Sequence, residues 1–398
     1  MGEVITPRGR GFIMTNAHPA GCAASVAEHV EVARAARRAD RQSGGGNALV
    51  IGSSTGYGLA SRIAAAFGHG MNTAGVFLER PAAERRTASA GWYNTAAFHR
   101  AALAEGLKSL NLNGDAFSNE VKQQAVETMR RELGRLDLVV YSLASPVRTH
   151  PDTGETLRSV LKPVGSTFTA KTINLDKAEV LEATIEPASE TEIAGTVAVM
   201  GGDDLRRWID ALLQAELLAP GARVVSYSYI GPNVTWPIYR SGTIGRAKED
   251  LERTTHELDN RLQEAVGGNA WVSVNKAVVT QAAAAIPVVP LYISILYQVM
   301  REMGIHERPI EQMVRMMNTQ VGPGHTPAVD AERRIRMDDW EMRDDVQAEV
   351  ERRWLAVTTE TLPELADFAG YQREFLQLFG FEVPGIDYGQ PVETEVPL

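Results

Sequence analysis

The chain of 398 residues is 44% hydrophobic and 23% charged, proportions that are typical of a folded globular protein. Its formal net charge of -10 argues against a nucleic-acid partner, because binding to phosphates relies on clustered Lys and Arg side chains. The single cysteine, Cys22, leaves no intrachain disulfide and fits a reducing compartment, so we expect a cytoplasmic protein.

No clear membrane signal is present in the sequence. The first residues, MGEVITPRGRGF, lack the continuous apolar core of a signal peptide. The most apolar run, residues 282–299, is barely long enough to span a bilayer and is interrupted by Pro287 and Pro290. We therefore expect no membrane insertion, and we interpret this run as a buried segment that lines the core or a ligand pocket.

Strand and helix patterns alternate along most of the chain. After an amphipathic helix at residues 24–39, strands are predicted at residues 48–51, 73–78, 108–113, 136–143, 223–229 and 271–279, and helices at residues 59–67, 95–105, 119–133, 203–217 and 243–265. This alternation predicts parallel strands joined by right-handed crossovers, and hence an α/β fold with a doubly wound parallel sheet.

Two regions depart from the alternation. Residues 151–200 contain alternating apolar and polar stretches that predict a β-hairpin insertion. Residues 282–398 are predicted to be mostly helical, and their charge-rich part, residues 330–353, is most simply a solvated face.

A glycine-rich turn follows the first strand, with the sequence GSSTGYG at residues 52–58. Glycine permits a tight turn and a close approach of the backbone to a phosphate, and a helix N-terminus offers free N–H groups and a favourable dipole. The spacing differs from the common G-x-G-x-x-G, and a turn without a ligand is the alternative. The position between a strand and a helix favours a dinucleotide site.

Further candidates follow the other strands, at the sheet edge where open α/β sheets bind ligands. Glu79 is suited to accept hydrogen bonds from the adenosine ribose, which favours NAD, although the neighbouring Arg80 would allow a 2′-phosphate. The pairs Asp115–Ala116 and Leu143–Ala144 are predicted to wall the adenine and ribose, with simple turn chemistry as the alternative.

The whole chain is then one enlarged dinucleotide-binding domain, with a cofactor core at residues 47–150 and 221–281 and a helical substrate-binding region at residues 282–398.

Tyr239 and Lys248 lie nine positions apart after the fifth strand. Nine steps of about 100° put them half a turn out of alignment on one helix. They converge only if Tyr239 lies before the helix and residues 241–245 make the turn into it. A lysine ammonium near a phenol favours phenolate character, and the tyrosine can then serve a developing oxyanion. The alternative is an aromatic packing residue and a solvated lysine.

The chain resembles the FabV-type trans-2-enoyl-CoA/enoyl-acyl-carrier-protein reductases in six motifs that occur in the same order: GSSTGYGLASR (52–62), ERP (79–81), GWYNTAAF (91–98), YSYIGP (227–232), PIYRSGTIGRAK (237–248) and KAVVTQ (276–281). The likeness extends from HPAGC (18–22) to LADFAGYQREFLQLFGF (365–381). It implies an enlarged relative of the short-chain dehydrogenase/reductases that is NADH-dependent and usually monomeric.

The resemblance also implies roles for residues. Tyr239 is then the catalytic tyrosine of a Tyr-x8-Lys pair, Lys248 the cofactor-contacting lysine and Tyr229 a substrate-contacting tyrosine. The cofactor contacts are Gly52, Ser53, Ser54, Thr55, Gly56, Tyr57, Gly58, Leu78, Glu79, Asp115, Ala116, Leu143, Ala144, Lys248, Val278, Val279 and Thr280.

The expected reaction is reduction of an enoyl thioester carried by CoA or acyl carrier protein, in fatty acid biosynthesis. Ketone/alcohol interconversion on the same scaffold is an alternative, but it normally uses a Tyr-x-x-x-Lys pair that the sequence lacks near the fifth strand. A non-catalytic NAD sensor is a third possibility, which the Tyr–Lys pair disfavours. The eight histidines are scattered, so we expect no metal site, and His150 most simply caps a loop.

Overall fold

The computed structural model describes residues 2–37, 45–84 and 86–398. The strands within these ranges are β1 (Gly9–Arg10), β2 (Ile13–Met14), β3 (Asn47–Ile51), β4 (Asn72–Phe77), β5 (Ser109–Asn113), β6 (Leu136–Tyr141), β7 (Val147–Thr149), β8 (Thr156–Arg158), β9 (Phe168–Asn174), β10 (Glu179–Ile185), β11 (Leu218–Ser228), β12 (Asn269–Val274) and β13 (Arg334–Arg336).

The helices in the same ranges are α1 (Pro19–Ala35), α2 (Gly56–Ile63), α3 (Ala90–Ala104), α4 (Asn119–Glu132), α5 (Glu190–Met200), α6 (Asp203–Gln214), α7 (Thr243–Val266), α8 (Gln281–Ala284), α9 (Val289–Glu302), α10 (Pro309–Met316), α11 (Asp344–Ala356), α12 (Leu362–Leu365) and α13 (Phe368–Gln377). Helices α2 and α10 continue into π-helical turns at Ala64–Gly68 and Met317–Val321. The predicted helix at residues 24–39 therefore begins earlier, at Pro19, and its last two predicted residues lie outside the described ranges.

The described residues form a seven-stranded central sheet in the order β13-β12-β11-β6-β3-β4-β5. Every neighbouring pair of strands in this sheet is parallel. The chain builds outward from β3 in one direction and from β6 in the other, so the strand order reverses between these two strands. This confirms the predicted doubly wound sheet and places a ligand crevice at the carboxyl ends of β3 and β6.

The central strands are apolar because both faces of the sheet are covered. Leu49, Val50 and Ile51 of β3 are all fully buried. Val50 packs into one core cluster, whereas Leu49 and Ile51 pack into another on the opposite face. This alternation is the two-residue period of a strand between two helical layers.

The edge strand β13 of the central sheet is not predicted from the sequence. The interpretation of residues 330–353 as a solvated face is therefore wrong for the segment that contains this strand. Ile335 of β13 is fully buried, and Met337 and Asp338 are 1% exposed. The flanking Arg334 and Arg336 side chains instead form ion pairs with Glu252 and Asp338. Two of the three residues of β13 are arginines, so its composition is typical of a surface segment and gives no sign of a buried strand.

Two predicted strand boundaries differ from the structure by five residues. β12 ends at Val274, five residues before the predicted end, and the following residues form a loop. β11 begins at Leu218, five residues before the predicted start, with a register irregularity before Arg223. The loop after β12 contains residues 276–280, which include the predicted cofactor contacts at residues 278–280.

The insertion contains the predicted hairpin. β9 and β10 pair antiparallel from Phe168↔Ile185 to Asn174↔Glu179, and a smaller hairpin joins β7 to β8. The Lys171 ammonium donates to the carbonyls of Trp354, Leu355 and Val357, which ties the hairpin to the end of α11.

The apolar run at residues 282–299 is core. It contains α8 and most of α9, and Leu291, Tyr292, Ile293 and Leu296 are fully buried in the third core cluster. Among the described residues, no helix has both the length and the apolar character needed to cross a bilayer.

The beginning of α1 packs against the segment that follows α13. The His18 amide donates to the Phe379 carbonyl at 2.8 Å, and Cys22 is buried. A Cβ on Gly21 would overlap the carbonyl of Gly380, so glycine is required for this approach. Glu3 also pairs with Val392 in an isolated β-bridge.

Candidate active site

The glycine-rich turn makes a tight bend between β3 and α2. Gly52 has φ +84°, in the left-handed region, and a Cβ there would overlap the carbonyl of Ser142 after β6. A Cβ on Gly58 would overlap the carbonyl of Gly52 itself. The turn therefore brings the first residues of α2 onto the end of β3, leaving its backbone at the crevice. This geometry fits the close approach of a pyrophosphate.

Glu79 lies beside this turn, two residues after β4. The Ser54 hydroxyl donates to the Glu79 carboxylate at 2.7 Å. The Asn113 side chain fixes the Glu79 backbone by accepting from its amide at 2.8 Å and donating to its carbonyl at 2.9 Å. Leu78 is 70% exposed. A half-buried carboxylate next to the phosphate turn suits recognition of ribose hydroxyls.

The residues after β5 and β6 lie at the same sheet edge. The Asp115 carboxylate accepts from the Phe117 amide at 3.0 Å, and the Ala116 carbonyl accepts from Lys122 and Trp208. The turn chemistry considered as the alternative is thus observed for Asp115 and Ala116. Cofactor contact there, and at Leu143 and Ala144, stays a prediction.

The loop after β12 closes over the glycine-rich turn. The Tyr57 hydroxyl donates to the Lys276 carbonyl at 2.7 Å. A Cβ on Gly56 would lie 3.6 Å from Thr280 Cγ2, which is ordinary van der Waals contact. The Val279 amide donates to the Tyr297 hydroxyl at 3.1 Å. The structure therefore brings residues 278–280 next to the predicted phosphate turn, although the two segments are distant in the sequence.

Tyr239 lies in a turn, and Lys248 lies inside α7, which begins at Thr243. The Tyr239 amide donates to the Thr235 carbonyl at 2.9 Å, which closes the turn. The Lys248 ammonium donates to the Tyr227 carbonyl of β11 at 2.9 Å. The predicted turn before the helix is therefore present and places both residues at the end of β11.

The charge state of the tyrosine differs from the expectation. Burial raises the pKa of Tyr239 above its ordinary value, and burial lowers the pKa of Lys248 to about 8. Burial therefore opposes the predicted phenolate character. Near neutral pH the pair consists of a neutral phenol and a lysine that is still largely protonated.

Tyr229 stands beside Tyr239 and is held by a residue that the sequence analysis missed. Its ring is perpendicular to that of Tyr239, with 4.7 Å between the ring centroids. Its hydroxyl donates to Glu341 Oε1 at 2.9 Å. Glu341 is fully buried and lies in the segment between β13 and α11. Its charge-rich surroundings in the sequence give no signal for a buried site.

No group of three or more His, Cys, Asp or Glu side chains in the described ranges is arranged to hold a metal ion. His150 caps its own loop, as expected, by accepting from the amides of Asp152 and Thr153 at 3.3 and 3.4 Å.

Three family models match consecutive parts of the chain. The NAD(P)H binding domain of trans-2-enoyl-CoA reductase matches residues 4–84, and the trans-2-enoyl-CoA reductase catalytic region matches residues 86–321. The chain belongs to the trans-2-enoyl-CoA reductase family. A third model, the enoyl reductase FAD binding domain, matches residues 329–392.

Relatives match the chain over nearly its full length. The enoyl-[acyl-carrier-protein] reductase [NADH] of Opitutus terrae is 55% identical over 395 residues, which cover 99% of this chain and 100% of the relative. The Treponema denticola trans-2-enoyl-CoA reductase in complex with NAD is 47% identical, with a TM-score of 0.94 and full coverage of both chains. The Clostridium acetobutulicum enzyme in complex with NADH is 40% identical, with a TM-score of 0.95, and covers 99% of this chain and 98% of its own.

The two cofactors that these family models name fit the structure differently. The glycine turn, with the Glu79 carboxylate beside it, fits a dinucleotide. In the segment matched by the FAD model, the apolar side chains of α11 and α13, such as Val350 and Phe375, are buried in the core with those of α9. These faces are occupied by the protein's own side chains and do not fit a flavin ring, so no flavin step is derived.

Proposed function

We propose that the protein catalyses the NADH-dependent reduction of the trans-2 double bond of an enoyl thioester to the saturated acyl thioester, in fatty acid biosynthesis. The substrate is carried by CoA or by acyl carrier protein. The observation that carries the proposal is the placement of Tyr239 before α7 and of Lys248 within it, at the sheet edge that also bears the glycine-rich turn.

NADH, the cofactor of this family, supplies the hydride that reduces the β-carbon. The residues proposed to hold it are the glycine-rich turn 52–58, Leu78 and Glu79, Asp115 and Ala116, Leu143 and Ala144, Lys248, and Val278 to Thr280. The Glu79 carboxylate, fixed by Ser54, would accept hydrogen bonds from the adenosine ribose. A carboxylate at this position would repel a 2′-phosphate, which supports a preference for NADH over NADPH.

Tyr239 is the proposed catalytic residue. Because burial keeps its hydroxyl protonated, it can donate a hydrogen bond to the thioester oxygen as negative charge develops there. Lys248, held on the Tyr227 carbonyl and cationic below about pH 8, would contact the nicotinamide ribose and favour that charge. Tyr229, 4.7 Å away between ring centroids, would line the same pocket.

We also propose that the protein acts as a monomer in the cytoplasm. The single buried Cys22 supports a reducing compartment, and the net charge of -10 argues against a nucleic-acid partner.

The test is NADH consumption with crotonyl-CoA. We expect Tyr239→Phe to lower kcat by about 10²- to 10³-fold, because it removes the hydrogen bond to the developing oxyanion. The matched control is Tyr388→Phe, which removes a half-buried hydroxyl that donates to the Gly380 carbonyl at 3.0 Å in the segment after α13. It should cost stability while kcat stays within about twofold.

The outcomes separate the candidate functions. Near-wild-type turnover of Tyr239→Phe would contradict the assigned role of this tyrosine. Faster reduction of a 3-ketoacyl thioester than of crotonyl-CoA would favour a ketoreductase. Tight NADH binding with no reduction of either thioester would favour a sensor.

A further inference from the structure

Glu341 is a fully buried carboxylate that binds Tyr229, the neighbour of the proposed catalytic Tyr239. Its Oε1 accepts hydrogen bonds from the hydroxyls of Tyr229 and Tyr292, at 2.9 and 2.5 Å, and its Oε2 accepts from the Ala277 amide at 2.7 Å. The three donors come from the segment after β11, from α9 and from the loop after β12. One side chain thus joins three separate segments of the chain beside Tyr239.

These contacts suit the ionised carboxylate. Burial raises the pKa of Glu341, but the Tyr292 hydroxyl, the Ala277 amide and the Lys276 ammonium all favour the charged form. An amide can only donate, and a carboxylate can only accept, so ionised Glu341 satisfies all three partners together. A buried acid is tolerated when its oxygens are hydrogen-bonded in this way.

The contact with Glu341 restricts what Tyr229 can do. A tyrosine has one hydroxyl hydrogen, and in Tyr229 it is directed to Glu341. Tyr229 therefore cannot at the same time donate to a thioester oxygen. In the described part of the chain, the Tyr239 hydroxyl has no such partner, and burial alone accounts for its raised pKa. The two neighbouring tyrosines thus differ in donor availability.

We propose that Glu341 is a positioning residue that assigns different tasks to the two tyrosines. By holding the Tyr229 hydroxyl, it keeps the Tyr229 ring edge-on against Tyr239 and leaves Tyr239 as the hydroxyl donor to the substrate. This inference rests on the proposed reduction of an enoyl thioester. It also gives residues 329–392 a part in the reaction that needs no flavin.

The test is a double-mutant cycle with Glu341→Gln and Tyr229→Phe, measured by steady-state kinetics with NADH and crotonyl-CoA. In Glu341→Gln the single amide oxygen is expected to turn to the Ala277 amide, which can only donate, and the NH2 group then faces the two tyrosine hydroxyls. The Tyr229 hydroxyl must therefore donate to another acceptor, and we expect its ring to move from Tyr239. We expect kcat to fall about tenfold, with the KM for NADH within about twofold. Tyr229→Phe keeps the ring and should lose no more than about threefold in kcat.

The double variant decides the matter. Without its hydroxyl, residue 229 cannot bind another acceptor, so its ring has no reason to move. The double variant should therefore have the same kcat as Tyr229→Phe alone. A residue that only supports the fold would give no such restoration. If Glu341→Gln does not fold, Glu341→Asp, which keeps the charge but shortens the reach, takes its place in the same cycle with the same expected restoration.

Tyr292→Phe is the matched control, because it removes a hydrogen bond to the same Glu341 oxygen and leaves the bond from Tyr229 to Glu341 in place. It should lower the thermal midpoint and leave kcat within about twofold. Two results would overturn the inference: multiplied losses in the double variant, or a loss in Tyr292→Phe equal to that in Glu341→Gln. If the wild type does not reduce crotonyl-CoA at all, the proposed function fails as well.

Discussion

Two parts of the same sheet edge are built in different ways. The turn at residues 52–58 is made of backbone, since Gly52 and Gly58 approach neighbouring carbonyls too closely for any side chain. The cluster around Tyr239 is made of side chains, with Tyr229, Tyr292 and Glu341 meeting from distant parts of the chain. The first part fails if an atom is added, whereas the second depends on the Glu341 carboxylate that its tyrosines share.

The largest expected effect tests whether β13, the strand that precedes Glu341, is anchored in the sheet. Ile335→Ala should lower the free energy of unfolding by about 3 kcal/mol, because it leaves a cavity at a fully buried position of this edge strand. Urea unfolding measures the change. Val329→Ala, at a position 45% exposed, is the control and should cost less than about 0.5 kcal/mol. An equally small cost for Ile335→Ala would mean that β13 is not an anchored part of the sheet.

The backbone-built turn should be broken by one methyl group. Gly58→Ala would force the start of α2 away from Gly52, and we expect NADH to bind about thirtyfold more weakly, by roughly 2 kcal/mol. Fluorescence titration measures the dissociation constant. In the control Gly68→Ala, the nearest atom to the new Cβ is 3.7 Å away, so binding should not change. Unchanged binding in Gly58→Ala would remove the turn from the cofactor site.

Lys276 tests the electrostatics of the side-chain cluster. Burial lowers the pKa of Lys276 to about 8, whereas an unfolded lysine titrates near about 10.4. Between these values the unfolded chain binds more protons, so the free energy of unfolding rises with pH. From about pH 8 to about pH 9.5 this group should add roughly 1.5 kcal/mol to the stability.

Lys276→Met removes this titration. Denaturant unfolding at both pH values should show the wild type gaining that amount relative to the variant as the pH rises. Lys177→Met, at an exposed position, is the control for the loss of a lysine from the surface. A constant difference for Lys276→Met would mean that the buried ammonium is better compensated by Glu341 and its neighbours than its burial indicates.

The smallest expected effect is on NADH binding when Glu79, the side chain beside the glycine-rich turn, is changed. Glu79→Gln should weaken NADH binding about fivefold, near 1 kcal/mol, because a carboxylate that can accept from ribose hydroxyls becomes an amide. The preference for NADH over NADPH should fall with it. Glu84→Gln, at an exposed position nearby, is the control. A Glu79→Gln variant with full discrimination would shift recognition of the ribose to another residue.

The same contrast explains what the sequence can predict. The glycine-rich turn and the buried run 48–51 are local patterns, so the strand, the turn and the helix after it are predictable from neighbouring residues. Glu341 cannot be found in this way, because its partners Tyr229 and Ala277 are 112 and 64 positions away. The raised pKa of Tyr239 also escapes local patterns, since it comes from burial, which is a property of the assembled fold.

The contact between the start of α1 and the segment after α13 has a consequence for synthesis on the ribosome. His18 and Gly21 pack against Phe379 and Gly380, which are translated more than 350 residues later. At roughly 5–20 residues per second, α1 waits for tens of seconds without its final neighbour. The start of α1, around Cys22, is therefore completed only near the end of synthesis, whereas the later apolar residues of α1 can pack much earlier against α3.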